Sequence, residues 1–259
     1  MPVLKSPREI GLMREAGRVV FQALSAVEER ARPGVTTAEL NAVAEELIGR
    51  AGAVPLFKGV VNPQAKFPFP AALCTSVNEQ VVHGIPGQRR LASGDIVSID
   101  CGVRLRGYCA DSATTVAIGR VSAEVARLLS VTRAALELAI REARAGRLWS
   151  EVAGQIQALV ERAGYSVVRE FVGHGIGQSM HEEPKVPNYV DRRTRRGETP
   201  MRVGLTLAVE PMVNMGGREV ELADHSGWTV VTKDRKWSAH FEHTIAVTEG
   251  GCEVLTDGS

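Results

Sequence analysis

Asp100 and Asp111 share one stretch, Gly94–Thr115 (GDIVSIDCGVRLRGYCADSATT), that reads as a β-hairpin. Ile96-Val97-Ser98-Ile99 is a short, largely β-branched run, a basic glycine-containing turn follows at Arg104–Gly107, and a second extended run returns from Tyr108 to Ile118. A turn centred between Leu105 and Arg106 sets the two aspartates directly opposite each other. Residues so placed have Cβ atoms about 4.5–5.5 Å apart, and like charges there repel. Such a pair persists by sharing a proton, by being solvated at a sheet edge, or by holding a cation between the carboxylates.

The rest of the chain bears on that choice. Leu205–Glu210 reads as a strand ending on Glu210, and Ala239–Val247 as a strand carrying Glu242. His174 stands in Gly173-His174-Gly175-Ile176-Gly177, where glycines allow close backbone approach and favour a ligand over a core histidine. Convergence of Asp100, Asp111, Glu210 and Glu242 on one centre would raise the pKa of each carboxylate and cost desolvation energy. Two divalent cations, about 3.5–4 Å apart in two-metal sites, would neutralise them. An oxygen-rich set with a single imidazole suits Mn, Co or Fe(II) at least as well as Zn, and is not a structural zinc site.

Other chemistry is excluded or left open. His181, in Met180-His181-Glu182-Glu183-Pro184, is followed four residues on by Lys185, so this is no HExxH zinc helix. Its two readings are a donor beside the metal ligands and a surface histidine. His240 and His243 flank Glu242 on alternate faces and receive no catalytic role. The chain has no Gly-x-Ser-x-Gly elbow, no phosphate-cradling glycine loop and no cysteine with a motif-like histidine partner, which argues against covalent catalysis.

Helices must position these groups. Ser6-Pro7-Arg8-Glu9 is a capping box leading into Ile10, Met13, Gly17, Val20, Leu24 and Val27 at helical spacing. Thr36-Thr37-Ala38-Glu39 is a second, leading into Leu40, Val43, Leu47 and Ile48, with Gly52 suited to the position after the helix. Residues 55–73 carry four prolines and read as an irregular loop, followed by an extended run from Cys74 that ends on His83. Ser122 opens a third helix with Val125, Leu128, Leu129, Leu136 and Ile140 inward, and Ser150 caps a fourth with Val152, Ile156, Leu159 and Val160 inward, stopped by Gly164. ARPGVTTAELNAVAEELIGRAG at 31–52 aligns without a gap on ARAGRLWSEVAGQIQALVERAG at 143–164, and His83-Gly-Ile-Pro is echoed by His174-Gly-Ile-Gly. The chain therefore reads as two similar halves, roughly 6–120 and 121–250, whose pseudo-twofold pairing brings the acids together within a single catalytic domain over residues 1–259.

Composition agrees with an ordinary globular protein. The 259 residues are 44% apolar and 24% charged with a formal net charge of +1, which gives no overall drive toward DNA or an anionic membrane. Cys74, Cys101, Cys109 and Cys252 have neither CxxC spacing nor the density of a secreted scaffold, favouring free thiols in a reducing compartment. With no apolar leader and no 18-residue apolar run, the expectation is a soluble cytoplasmic protein. Arg192-Arg193-Thr194-Arg195-Arg196 reads as a solvated basic loop, with docking on ribosomal RNA as the sharper alternative.

These residues carry a resemblance. SVNEQVVHGIPG at 76–87, DIVSIDCG and ADSATT within 95–115, VGHGIG at 172–177, HEEP at 181–184, AVEPM at 208–212 and GWTVVTKDRKWSAHFEHTIAVT at 227–248 together resemble the methionine aminopeptidases of the short bacterial type I form, within the M24 metallopeptidases. The resemblance implies a pita-bread α/β fold of two pseudo-twofold halves, with an antiparallel sheet covered by helices. It implies two divalent ions (Co, Mn, Fe(II) or Zn) on Asp100, Asp111, His174, Glu210 and Glu242. It gives Glu210 the role of general base, and gives His83 and His181 the stabilisation of the tetrahedral intermediate and scissile amide. It further implies removal of N-terminal methionine from nascent polypeptides and peptides with a small second residue, by a monomer. Cys74, Phe69, Met180 and Trp228 are candidates by position for the methionine pocket. Met180 replaces the aromatic usual in such relatives, and residues 60–70 depart from the usual loop. The competing readings are cleavage before proline, as in prolidases and aminopeptidase P, and a non-catalytic binding protein on the same fold.

Overall fold

Both N-terminal capping boxes form. The computed structural model describes residues 2–190, 198–223 and 226–259; the basic run at 192–196 lies outside the described residues. In α1 (Pro7–Arg30) the Ser6 side chain accepts from Glu9 N–H while the Ser6 N–H donates to the Glu9 carboxylate at 2.7 Å. In α2 (Thr37–Arg50) Thr36 and Glu39 repeat the exchange. Met13, Ala16, Val20, Leu24 and Val27 form the buried stripe of α1. Gly17 lies on that stripe because a Cβ there would overlap the Leu255 carbonyl, so the C-terminal tail crosses α1 at this point.

Five strands follow: β1 (Val54–Pro55), β2 (Leu73–Val77), β3 (Gln80–Val82), β4 (Ile96–Leu105) and β5 (Tyr108–Ala117). Proline-bearing β1 pairs with β4 at the sheet edge, where a missing N–H is tolerated. The single extended run expected from Cys74 to His83 is two strands, because Asn78 takes φ 58° in a turn between β2 and β3. The hairpin register also differs from the expectation. Leu105 pairs with Tyr108, so Arg106 and Gly107 are the central turn residues, with φ of 50° and 86°. Positive φ at both positions is what a tight type I′ turn demands, and glycine suits the second of them. That displacement puts Asp100 opposite Ala113 and Asp111 opposite Gly102, so the aspartates are diagonal neighbours on one face rather than a directly opposed pair.

The second half begins with α3 (Ala123–Glu142), capped by Ser122 as expected, and α4 (Trp149–Arg162). Ser150 does not cap α4. The helix starts two residues earlier with Leu148 at the N-cap and no side-chain cap bond, and the Ser150 N–H is satisfied at 2.7 Å by the distant Glu198 carboxylate. A carboxylate brought by tertiary structure to a helix N-terminus serves the free N–H groups as well as a local hydroxyl would. Then come β6 (Ser166–Val167), β7 (Gly173–Gly175), β8 (Glu182–Val186), β9 (Thr206–Val209), β10 (Met212–Asn214), β11 (Val220–Leu222), β12 (Val230–Thr232), β13 (Ser238–His240), β14 (Glu242–Val247) and β15 (Cys252–Val254). The strand expected over Ala239–Val247 breaks at Phe241: β13 pairs with β10, while β14 pairs with β5, β9 and β15.

The main sheet runs β1-β4-β5-β14-β9-β7-β8, with β2 added to β4 and β15 to β14, and every pairing is antiparallel. The β5–β14 pairing joins the halves. The sequence repeat is a structural one: α2 and α4 are each 14 residues long and end on Ala51 and Ala163 with φ −75° and −76°. Each half has its own core. Val20, Leu24, Leu40 and Ile48 pack on Val97, Ile99 and Val103, and Leu128, Leu136, Val152 and Ile156 pack on Leu207, Val209 and Ile245. Helices thus cover one face of the curled sheet and leave the other for the acids, which is the pita-bread architecture.

Candidate metal centre

Strand pairing builds the site in two adjacent rows on that open face. In one row Asp100 of β4 is opposite Ala113 of β5, which is opposite Glu242 of β14. In the other, Asp111 exchanges hydrogen bonds with Thr244, its N–H donating to Oγ1 at 2.9 Å and its carbonyl accepting at 2.8 Å. Thr244 pairs with Ala208, and Ala208 with His174. Glu210 follows the last residue of β9, so its carboxylate turns in over the end of both rows.

The result is a buried cluster of acids and imidazoles. Ligand atoms of Asp111, His174 and Glu242 all lie within 4.8 Å of one another. His174 Nε2 is 3.7 Å from Glu210 Oε1, and His174 Nδ1 lies 2.9 Å from the Gly175 carbonyl oxygen, which fixes the ring with Nε2 toward the acids. Asp100 Oδ1, Asp111 Oδ1 and Glu242 Oε1 are buried without a hydrogen-bond partner. Burial pushes Asp100 up to about 7 and, with the charge of Asp100, pushes Glu210 up to about 8. Asp111 and Glu242 are raised well above the ordinary carboxylate range by burial and by the neighbouring carboxylates. Burial drives His174 down to about 4, with the charge of His181 adding to it. Orphaned carboxylate oxygens beside a neutral imidazole are a donor set that fits divalent cations, which would supply the charge and the coordination the protein does not.

One cavity of about 320 Å3 gathers the proposed ligands, catalytic groups and pocket residues: the acids, His174, His83, His181, Phe69, Cys74, Met180 and Trp228. His83 follows the last residue of β3 with φ 59°, its ring edge-on to Phe171 at 5.4 Å. His181 is exposed at the mouth of the cavity, its ring 4.3 Å from that of His174. Phe69 and Trp228 meet edge to face at 5.2 Å, and the indole N–H donates to the Phe67 carbonyl at 2.8 Å. Cys74 is opposite Asp100 on β2, so this apolar wall adjoins the acids directly. Burial holds the Cys74 thiol well above its usual pKa, which makes it wall and not nucleophile.

Sequence reasoning passed over His240. Its Nε2 lies 3.8 Å from Glu210 and 3.9 Å from Glu242, has no hydrogen-bond partner, and burial lowers its pKa to about 3. His243 points away, to Thr256 at 2.9 Å, so the two histidines face opposite sides as expected, and of the pair His240 is the one beside the acids. The available signal was parity: two residues before Glu242 in extended chain is the same face. Phe171 and Phe57, also lining the cavity, had no such signal.

The chain belongs to metallopeptidase family M24, whose sequence profile matches residues 11–249. Within that family its relatives are methionine aminopeptidases. The methionine aminopeptidase of Clostridium perfringens is 48% identical over 256 residues, covering 99% of each chain. The crystal structure of methionine aminopeptidase from Thermotoga maritima superimposes with a TM-score of 0.92 at 39% identity, covering 99% of both. Xaa-Pro dipeptidase from Bacillus anthracis shares the fold alone, with a TM-score of 0.75 at 22% identity over 63% of its chain.

Proposed function

We propose that this protein is a metal-dependent aminopeptidase that hydrolyses N-terminal methionine from peptides and nascent proteins with a small second residue. The observation that carries the reading is the junction of two environments in one cavity: buried acids with orphaned oxygens, and beside them an apolar wall of Phe69, Cys74, Met180 and Trp228. Asp100, Asp111, His174, Glu210 and Glu242 would hold two divalent ions. When bound, such ions polarise the scissile carbonyl and lower the pKa of water toward neutrality.

The chain's own residues do the rest. Glu210 accepts the proton of the attacking water at its carboxylate and passes it to the leaving amine. His181, at the mouth, hydrogen-bonds the oxygen that gains charge in the tetrahedral intermediate. His83, across the cavity against Phe171, hydrogen-bonds the scissile amide. The wall takes up the methionine side chain, whose flexible thioether packs well against aromatic edges. Acids at the end of the cavity also receive the free α-amine, which restricts cleavage to the first peptide bond.

Residues 1–259 act as one catalytic domain in this reading, a cytoplasmic monomer that meets chains leaving the ribosome. Four free thiols support a reducing compartment, and no described helix is long and apolar enough to cross a membrane. Co-sedimentation with ribosomes, with and without replacement of the arginines at 192–196, tests the last point.

The deciding experiment strips the protein with a chelator, restores Mn, Co, Fe(II) or Zn, and assays Met-Ala-Ser beside Ala-Pro-Ala. Metal-restored release of methionine alone is expected. Cleavage before proline, or silence with every metal, overturns the proposal.

A further inference from the structure

We propose that Lys5 is a positioning residue: its buried ion pair with Glu182 holds the turn over 177–182 that presents Met180 and His181 to the cavity. The Lys5 side chain is 4% exposed and its Nζ lies 2.5 Å from Glu182 Oε2. The same ammonium donates to the Val3 carbonyl at 2.9 Å, and the Lys5 N–H donates to the Gly204 carbonyl at 2.7 Å, just ahead of β9. Lys5 is thereby fixed to the sheet before it reaches the turn. Glu182 uses its two oxygens differently. Oε1 accepts the Ser179 N–H at 3.2 Å and closes the turn on itself, while Oε2 fastens the closed turn to Lys5.

The packing is specific to this pair. A Cβ at Gly177 would overlap Lys5 Cε and lie 2.6 Å from Glu182 Oε1, so the turn is glycine where the lysine passes. At its start the turn is held independently, by Cys109 N–H on the Gly177 carbonyl at 2.7 Å and by Gln178 Nε2 on Tyr108 OH at 3.1 Å. Its end is held by Glu182. His181 directly precedes that anchor, and its ring meets His174. A buried ion pair is weak evidence for stability, since apolar residues of similar volume often serve as well. Its place beside His181 gives it a different use, fixing where an imidazole points.

This rests on the reading of His181 given above. The test compares the intact enzyme with Lys5→Met, the charge-free double variant Lys5→Met/Glu182→Gln, His181→Ala and Lys5→Met/His181→Ala, each loaded with Mn. Bound metal, thermal midpoint, kcat and KM for Met-Ala-Ser are measured. Lys5→Met is expected to lower kcat about ten- to a hundredfold, as displacement of a reacting group by about 1 Å does, with bound metal unchanged. Should Lys5→Met not fold, the double variant, which leaves no unpaired charge and keeps an acceptor for Ser179, is expected to fold and show the same loss. In the His181→Ala background the Lys5 substitution is expected to change kcat by less than about twofold, because residues acting through one another are not additive. A folded double variant with parental kcat overturns the inference, and so does a Lys5 effect undiminished without His181. Full activity of His181→Ala instead overturns the reading of His181, and the role of Lys5 falls with it.

Discussion

Asp111 stands opposite Gly102 across the hairpin, and a Cβ on that glycine would lie 3.0 Å from Asp111 Oδ1. Leu56 and Phe57 close the same space at 3.2 Å, so the carboxylate is seated by what Gly102 lacks. Gly102→Ala is expected to fold but to tilt Asp111, lowering metal affinity about ten- to a hundredfold, as loss of a ligand's support does. Titration of chelated protein with Mn checks this, and unchanged affinity removes the role given to Gly102.

Asp100 and His181 separate binding from chemistry. Asp100→Asn replaces an anionic donor with a neutral amide in a buried cluster, and is expected to abolish metal binding and activity together. His181→Ala is expected to keep its metal while kcat falls about a hundredfold, the scale of losing one donor to a developing oxyanion. Metal analysis beside kinetics distinguishes them; full activity in either variant contradicts the assignment.

The acids also set a pH dependence for the metal-free protein. Asp100 and Glu210 titrate near 7 and 8 when folded, against about 3.9 and 4.3 in an unfolded chain. The folded state therefore binds more protons, and stability falls as pH rises through this interval. His83 and His174, lowered to about 4 by burial, act oppositely but only below about 6.5, where an unfolded histidine takes up its proton. Between about pH 6.5 and 8 the carboxylates outweigh the histidines, whose unfolded forms lose their last protons there. The thermal midpoint of chelated protein is expected to drop across that window, and Mn is expected to remove the drop. A flat midpoint without metal would show that the acids do not share one buried site.

Specificity is expected to follow the Phe69–Trp228 contact. Phe69→Leu removes the edge-to-face partner of the indole while filling most of the volume. The expected result is a fall of about tenfold in kcat/KM for Met-Ala-Ser, mainly through KM, since the pocket holds substrate and transition state alike. A loss confined to kcat would place Phe69 in the chemistry and not in the pocket.

The legible parts of this chain were the local ones and those whose chemistry restricts residue type. Ser6–Glu9 and Thr36–Glu39 are three residues apart and satisfy each other's backbone, so no distant group had to be known. The same holds for the repeated helix that ends at Ala51 and again at Ala163. Ser150 shows the boundary: its type suits a cap, but Glu198 reaches the same helix end from far along the chain.

The sequence by itself singled out the candidates to hold cations, because carboxylates on apolar strands and a histidine among glycines have few other uses. It also determined the helix pairs and the two halves, which follow from caps and periodicity within a few residues. Tertiary structure decided the rest. One turn residue, Gly107, sets the register that makes Asp100 and Asp111 diagonal neighbours, since moving the turn centre by one residue shifts every pair on the ladder by two. The gathering of His240, Phe171 and the acids into one cavity, and of Lys5 against Glu182, depends on segments far apart in the chain. Their proximity is created by the closing of two half-sheets along β5 and β14, where long-range packing takes over from local preference.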